Sequence, residues 1–261
     1  MSAQFLKPQI AESFSRAAVS YDSVAQLQRR IGHNLLESLD QRSAPVVMDL
    51  GCGTGYFAPL LIEQLRPEQL ICFDLAQGML EYARQTRATA NTLWLCGDAE
   101  NIPLADSSVD LIFSSLAIQW CENLPSLFSE VARVLKPGGR FLFSTLGPET
   151  LFELRDAWSA VDKFQHVNRF ISFETLQAQA TEHLQEVSLR EGREVLLYDQ
   201  LRELTTELKG IGAHNISAGR QNGLTGKARI SAFKQAYEQF RGAEGKLPAT
   251  YQVFYGDYIN G

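Results

Sequence analysis

Five short apolar runs alternate with segments that carry apolar residues at helical spacing. The runs cover residues 46–50, 70–73, 93–96, 109–113 and 140–145. Short strands that alternate with helices form βαβ units. Continuous rather than alternating apolarity is typical of parallel strands that are buried on both faces. The pattern therefore predicts an α/β fold with a doubly wound, mostly parallel sheet.

Different patterns flank this alternation on both sides. Residues 1–43 are polar-rich with apolar positions at helical spacing, and they predict an N-terminal helical segment. After residue 147, helical patterns surround two strand candidates, and these lie near 187–197 and 250–259. The helical patterns cover residues 150–163, 172–183, 199–209 and 225–240. We expect residues 44–261 to form one domain, with a core over 44–147 and a helical lobe with final strands over 148–261.

Composition narrows the class of protein. The chain has 261 residues, 45% apolar side chains, and 24 Lys and Arg against 30 Asp and Glu, a net charge of −6. A chain of this length buries about three quarters of its unfolded surface, so a full core needs no cross-links. Apolar and charged fractions are those of a globular protein and exclude a disordered chain. The acidic balance disfavours a nucleic-acid binder, although a local basic patch stays open.

Cysteine usage and hydropathy predict a reduced, soluble protein. The four cysteines (Cys52, Cys72, Cys96 and Cys121) form no Cys-x-x-Cys pair, which disfavours a zinc or redox site. Cys52, Cys72 and Cys96 lie in or beside apolar runs, where a free thiol acts as a small hydrophobe. No run approaches the ~18 apolar residues of a membrane span, and no signal-peptide pattern is present. We expect a cytoplasmic protein with no metal and no membrane contact.

A glycine loop follows the first run, with the sequence Asp49-Leu50-Gly51-Cys52-Gly53-Thr54-Gly55. Glycines permit positive φ and close approach of a ligand to the backbone. A dinucleotide fingerprint has Gly-x-Gly-x-x-Gly, whereas the spacing here is Gly-x-Gly-x-Gly after an acidic residue. That carboxylate would repel a pyrophosphate but suits an ammonium group, which S-adenosylmethionine carries. A purely structural turn is the alternative.

Two more carboxylates follow the next two runs. Asp74 ends the second run, where an acidic side chain can hydrogen-bond both ribose hydroxyls of a nucleoside. Asp98 follows the third run in Gly97-Asp98-Ala99, where it can accept from an adenine amino group. Each aspartate taken alone is more often a helix cap or a turn residue. Three of them after successive strands favour a nucleoside site.

These motifs together resemble those of the class I S-adenosylmethionine-dependent methyltransferases. The resemblance covers residues 46–145, with DLGCGTG, ICFDLAQGML, the segment 96–120 and LKPGGRFLFST. It implies a Rossmann-like, seven-stranded sheet and S-adenosylmethionine as the methyl donor. Donor-binding residues are then Asp49, Gly51, Gly53, Gly55, Asp74, Asp98 and Ala99. One departure is Ala76, where such proteins often carry a helix-capping serine.

Motifs outside the donor loop resemble a narrower family, the malonyl-acyl-carrier-protein O-methyltransferases of biotin synthesis. They include Phe14-Ser15-Arg16-Ala17-Ala18, residues 116–121, 157–162, 166–170, 208–213 and 218–220, and LPATY at 247–251. The resemblance implies methylation of the free carboxylate of malonyl-acyl carrier protein, which primes pimelate assembly. It implies an acyl carrier protein as partner. The N-terminal helical segment is then a lid over the active site.

The predicted chemistry needs a positioned carboxylate rather than a base. An ordinary carboxylic acid has a pKa of about 4 and is ionised at neutral pH, so no catalytic residue is expected among the four histidines. A bidentate arginine binds a carboxylate best, and Arg169 is the first candidate, ahead of Arg155 and Arg220. Further substrate-binding candidates are Tyr21 from the lid and Gln119 and Trp120 after the fourth strand. The alternatives are a solvated surface arginine and a core tyrosine.

A basic segment runs from Lys209 to Lys246. It holds seven basic and two acidic residues, a local charge of +5, which leaves −11 on the rest of the chain. Such a segment would steer an acidic partner, and acyl carrier proteins are acidic. Charge reversal at Lys227 and Arg229 is therefore expected to weaken use of a carrier-bound substrate. A solvated helix face is the alternative.

Two other functions fit parts of the sequence. A methyltransferase for another small metabolite fits the first 145 residues equally well. A non-catalytic S-adenosylmethionine-binding subunit with a closed substrate pocket fits as well. Transfer assays with malonyl-acyl carrier protein, malonyl-CoA and free malonate distinguish the three.

Overall fold

The computed structural model describes residues 7–87, 89–212 and 226–261. Two helices come first, and strands then alternate with helices up to the fifth strand. These elements are α1 (Lys7–Val24), α2 (Gln26–Glu37), β1 (Val46–Leu50), α3 (Ala58–Leu65), β2 (Gln69–Asp74), α4 (Gln77–Arg87), β3 (Thr92–Cys96), β4 (Val109–Ser115), α5 (Leu124–Val134) and β5 (Leu135–Leu146). A single 3-10 turn, Ile118–Trp120, separates β4 from α5.

The later part of the chain adds two long strands among four helices. These elements are α6 (Phe152–Ser159), α7 (Phe173–Thr181), β6 (Gln185–Tyr198), α8 (Leu201–Gly210), α9 (Lys227–Glu238) and β7 (Leu247–Ile259). The division into residues 1–43, 44–147 and 148–261 stays a prediction. The third region nevertheless contributes β6 and β7 to the same sheet as β1 to β5.

The described strands form one seven-stranded sheet in the order β3-β2-β1-β4-β5-β7-β6. Strands β1 to β5 are parallel, and β7 runs antiparallel to both of its neighbours. The predicted α/β fold with a doubly wound, mostly parallel, seven-stranded sheet is confirmed. The strand order reverses between β1 and β4, and open α/β sheets bind ligands at such a reversal, beyond the carboxyl ends of the strands.

Alternate side chains of the central strands enter two separate apolar cores. In β1, Val47 packs into one core with helices α2 and α3, and Met48 packs into the other with α5 and α7. Continuous apolarity in this strand therefore fills both cores at once. The two cores hold the carboxyl ends of β1, β2 and β4 in fixed relative positions.

Two strands differ from the expectation. β3 lies at the edge of the sheet, so Leu93 is 45% exposed and Cys96 is exposed, and the expectation of burial on both faces is wrong for this strand. β5 starts at Leu135, five residues before the predicted strand. The backbone N–H of Gly138 donates to the carbonyl of Asn260, which draws this glycine turn onto the end of β7.

Candidate active site

The glycine loop connects β1 to α3 with three left-handed residues, as Gly51, Gly53 and Gly55 have φ of 77°, 54° and 74°. The N–H groups of Gly51 and Cys52 donate to the carbonyl of Phe73 at 2.7 and 3.0 Å, which fastens the loop to β2. A Cβ atom at Gly51 would lie 2.2 Å from the Cβ of Ala117. Glycine is therefore required at Gly51 both by conformation and by space.

Asp74 holds the glycine loop from the end of β2. Its carboxylate accepts from the N–H of Gly53 at 2.8 Å and from the N–H of Ala76 at 2.7 Å. A serine at residue 76 would accept from an N–H of the first turn of α4; with Ala76 in its place, the N–H of Gly78 donates instead to the hydroxyl of Ser15 at 3.1 Å. Burial raises the pKa of Asp74, against the hydrogen bonds that its carboxylate accepts.

Asp49 lies within β1, directly before the loop, and its side chain is buried. Its Oδ2 atom has no hydrogen-bond partner among the described residues. Burial, together with the nearby carboxylate of Asp74, raises the pKa of Asp49 to about 8. A buried carboxyl group without a partner is costly, and a cationic ligand beside it would remove that cost.

Asp98 faces the first residue of α1. The Nζ atom of Lys7 lies 2.6 Å from Oδ2 of Asp98 and 2.9 Å from Oε2 of Glu100. Burial opposes the charge of Lys7, but the hydrogen bonds to the two carboxylates raise its pKa. The N-terminal helix is therefore anchored to the residue predicted to bind adenine.

The glycine loop, Asp74 and Asp98 line one cleft beyond the carboxyl ends of β1, β2 and β4, whereas Asp49 is not part of its lining. The cleft spans about 810 Å³, its open mouth included. Seven predicted site residues line it: Tyr21, Gly51, Gly53, Asp74, Asp98, Ala99 and Trp120. Most of the sequence-predicted residues are thus brought together, although they come from distant parts of the chain.

An aromatic wall closes the cleft on the side of α1. The rings of Phe14 and Trp120 meet edge to face with centroids 5.3 Å apart, and Tyr21 lies further along the same helix. Burial, with the charges of Asp74 and Asp22, raises the pKa of Tyr21, so its hydroxyl is protonated at neutral pH. This wall can exclude water and present a phenolic hydrogen-bond donor.

Four predicted residues of the described part, Asp49 among them, do not line the cleft. Gly55 packs against Trp94, and Gln119 braces the loop after β4 by donating to the carbonyl of Leu116 at 2.5 Å. Arg169 is exposed and does not line the cleft. Arg220 lies outside the described residues. The substrate roles of Gln119, Arg169 and Arg220 stay predictions.

Sequence reasoning missed several residues of the cleft, above all Lys7, Phe14 and Leu116. Lys7 and Phe14 are separated from the glycine loop by about 40 residues, and only the docking of α1 brings them near. Leu116 has a φ of 51°, which is a strained conformation for a residue other than glycine. Residues in such conformations are concentrated at functional sites. The Phe14 motif and the apolar residues after β4 were the available signals.

The described residues lack two further features. No group of three or more His, Cys, Asp or Glu side chains in the described part is arranged to hold a metal ion. None of the described helices is long and apolar enough to cross a membrane.

Comparisons with known proteins extend these observations. A family described as Methyltransferase domain matches residues 48–143. Among solved structures, the YcgJ protein of Bacillus subtilis has a TM-score of 0.60 and 22% identity, with 88% of this chain and 98% of that chain covered. At this identity the likeness shows the fold alone.

Curated relatives match nearly all of the chain. Biotin biosynthesis bifunctional protein BioHC of Cellvibrio japonicus is 51% identical over 95% of this chain and 49% of its own length. The chain thus spans about half the length of the bifunctional relatives it matches. A malonyl-acyl-carrier-protein O-methyltransferase of Hahella chejuensis is 42% identical over 95% of this chain and 88% of its own length. On the identity and extent of this last match, the chain belongs to the malonyl-acyl-carrier-protein O-methyltransferase family.

Proposed function

We propose that this chain transfers a methyl group from S-adenosylmethionine to the free carboxylate of malonyl-acyl carrier protein in biotin synthesis. The observation that carries the proposal is the cleft, in which the carboxylates of Asp74 and Asp98 lie beside an aromatic wall in a chain of this family. The carboxylates are suited to a cationic nucleoside. The wall is suited to a reaction from which water is excluded.

The donor-binding half of the cleft fits S-adenosylmethionine. The unpartnered Oδ2 atom of Asp49 offers a counter-charge for an ammonium group. We assign the ribose hydroxyls to Asp74 and the adenine amino group to Asp98, with Gly51, Gly53 and Ala99 beside the nucleoside. When bound, the donor supplies an electrophilic methyl group.

The acceptor half needs no proton transfer. An ordinary carboxylic acid is ionised at neutral pH, with a pKa of about 4, and none of the three described histidines lines the cleft. Burial raises the pKa of Cys121 to about 12, so this cleft thiol is protonated and a poor nucleophile. Tyr21 and Trp120 position the acceptor and exclude water, and such positioning lowers the barrier of a bimolecular transfer.

Selection of the carboxylate is assigned to Arg169. Replacement of Arg169 by Ala is expected to abolish methyl-ester formation, since no bidentate cation then orients the acceptor. S-adenosylhomocysteine affinity, measured by calorimetry, should stay within about twofold, because Arg169 lies outside the cleft that holds the donor. Arg84→Ala is the control, as Arg84 is an exposed arginine on α4 with no predicted role in the site. Activity of the Arg169 variant within a few-fold of the parent would place the role elsewhere.

The partner and location belong to the same proposal. We assign an acyl carrier protein as the bearer of the malonyl group and the cytoplasm as the site of the reaction. Family membership supports the partner. The free state of the described cysteines is compatible with a reducing compartment.

A transfer assay tests the function directly. The protein is incubated with methyl-labelled S-adenosylmethionine and with malonyl-acyl carrier protein, malonyl-CoA or free malonate, and the label is followed into a base-labile ester. Label on the malonyl carrier protein is the expected result. Label on none of the three, with normal donor binding, would overturn the proposal in favour of a non-catalytic subunit or another acceptor.

A further inference from the structure

A patch of cations and apolar side chains lies where α9 meets the loop after α6. Lys227 and Lys234 are seven residues apart on α9 and share one face, and Ile230 between them is 40% exposed. The loop contributes Lys163, which is exposed, and Phe164, which is 43% exposed. We call these five residues the α9 patch.

The patch has a rigid base. The Trp158 ring of α6 stacks on Phe233 of α9 with centroids 4.1 Å apart. The guanidinium group of Arg229 pairs with the buried carboxylate of Asp162 and lies 5.5 Å from the centre of the Phe164 ring. The loop and the helix are therefore joined on their inner sides, and their outer side chains keep a fixed spacing.

The same contacts correct the sequence expectation for this segment. The sequence predicts that both Lys227 and Arg229 attract an acidic partner. The charge of Arg229, however, is largely compensated by its ion pair with Asp162. Arg241 and Lys246 likewise pair with Glu238 and Asp199. Lys227, Lys234 and Lys163 form no ion pair with a described residue. Two of the three described cations of the basic segment that form no ion pair, Lys227 and Lys234, thus lie on the α9 patch, and the third is Lys209.

Charge and shape indicate the class of partner. Residues 227–234 contain three cations and no acidic residue in a chain of net charge −6. Exposed apolar side chains at the centre of a charged rim are typical of protein interfaces. Positive charge around them attracts a negative surface and raises the association rate. An acidic helix with apolar residues on one side complements this arrangement.

We propose that the α9 patch is the surface on which the acidic acyl carrier protein docks. This inference rests on the proposed function, because it names where the carrier of that substrate binds. The docked protein body contacts Lys227, Ile230 and Lys234, and the malonyl group enters the cleft separately. Binding at the patch therefore lowers the KM for carrier-bound substrate and leaves small thioesters unaffected.

The test compares two substrates in two charge-reversed proteins. Lys227→Glu/Lys234→Glu is expected to raise the KM for malonyl-acyl carrier protein at least tenfold. Its KM for malonyl-N-acetylcysteamine, a thioester without carrier or phosphate, should stay within twofold. Arg42→Glu/Arg84→Glu carries the same charge change on exposed residues of the loop before β1 and of α4 and should leave both KM values unchanged. Ile230→Ser tests the apolar centre, with a KM increase on the carrier substrate alone.

Each contrary outcome has a separate meaning. Equal KM changes for both substrates, an equal change in the control, or no change for the carrier substrate would overturn the docking surface. A change in oligomeric state of the patch variant would assign the surface to a second copy of this chain instead.

If the parent protein methylates neither thioester, the proposed function fails. Anisotropy of fluorescent carrier protein then still tests docking, since tenfold weaker binding to the patch variant alone would support it and equal binding would refute it.

Discussion

The carboxyl group of Asp49 is enclosed at the end of β1, and one of its oxygens has no partner among the described residues. Burial and the charge of Asp74 raise its pKa to about 8, well above its ordinary value of about 4. Between about pH 4 and pH 8, Asp49 is therefore protonated in the folded chain and ionised in the unfolded chain. This group lowers the free energy of unfolding progressively as pH rises between these two values, by roughly 1.4 kcal/mol per pH unit.

Replacement of Asp49 by Asn removes this dependence. The variant is expected to be more stable than the parent at neutral pH, and the difference should widen from pH 5 to pH 7.5. Urea unfolding followed by fluorescence at several pH values measures it. A constant or shrinking difference would contradict the raised pKa.

The same variant should bind the donor less tightly. An ammonium group beside Asp49 favours its ionised form, so donor binding releases a proton and strengthens as pH rises from 6 to 7.5. In Asp49→Asn the affinity should fall at least tenfold and become nearly independent of pH. 5′-Methylthioadenosine, which has no ammonium group, is the control and should bind both proteins alike. A parallel pH profile in parent and variant would exclude Asp49 as the counter-charge.

At the residue scale, the sequence predicts side chains that lie near strand ends but not those brought in by docking. Asp49, Asp74 and Asp98 follow from their positions in or after successive strands, because parallel strands end at one edge of the sheet. Lys7 and Phe14 depend on where α1 packs, and that placement depends on contacts distant in sequence. Gly78 shows one such contact, since its N–H donates to the Ser15 hydroxyl of α1 at 3.1 Å.

Helix α1 is tethered to the donor site at both of its ends. Lys7 pairs with Asp98 and Glu100 at the start. Near the end, Asp22 accepts from the hydroxyl of Thr54 at 2.7 Å and pairs with Arg87. Thr54 belongs to the glycine loop, so α1 and the loop are held in one arrangement. Phe14 and Tyr21 lie on α1 between the two tethers.

Replacement of Asp22 by Ala should loosen the second tether. Charge-assisted hydrogen bonds contribute about 1.5–3 kcal/mol each, and their loss should weaken S-adenosylhomocysteine binding about fivefold. Hydrogen exchange should increase in the second half of α1 and in the glycine loop. Glu12→Ala, which removes only an exposed pair with Arg16, is the control. Unchanged exchange in both segments would show that Asp22 does not hold α1 against the glycine loop.

At the element scale, local sequence patterns predict where each element lies in the chain better than they predict which elements lie beside it in the fold. Apolar runs identify the strands within a few residues, because burial of a strand requires apolar side chains. The edge position of β3 is absent from its sequence, as Thr92–Cys96 is as apolar as a central strand. The early start of β5 depends on Asn260, which lies more than 120 residues away along the chain.

The sheet ends on β6, whose outer edge pairs with no described strand. Val195 and Leu197 are 44% and 54% exposed on one face of this strand, and Arg193 precedes them on the same face. Exposed edges invite pairing between molecules, and charged residues oppose it. Arg193 is therefore expected to limit self-association.

Replacement of Arg193 by Val would extend the apolar strip to three residues. We expect the variant to form larger species at concentrations where the parent does not, as measured by light scattering after size exclusion. The double variant Arg193→Val/Leu197→Lys restores a charge to the same face and should behave as the parent does. Identical scattering by Arg193→Val and the parent would refute this role of the edge charge.

At the scale of the whole molecule, charge counted along the chain differs from charge arranged in space. The basic segment from Lys209 to Lys246 has a local charge of +5, yet the acidic partners of Arg229 and Lys246 lie outside it, at Asp162 and Asp199. A charge summed over one stretch of sequence leaves out acidic residues that the fold brings next to it. The fold class, by contrast, follows from the repeated alternation of strands and helices, which no single contact can alter.

Strand β7 lies between β5 and β6, although it follows both in the chain. During synthesis on the ribosome, β6 therefore emerges before the strand on which it must pair. Until residues 247–259 are released, β5 has an open edge and β6 has no partner. Incomplete chains that end before residue 247 would expose one edge of β5 and the whole of β6, and such edges are sites of aggregation and of recognition by chaperones. Completion of the sheet is thus coupled to translation of its last strand.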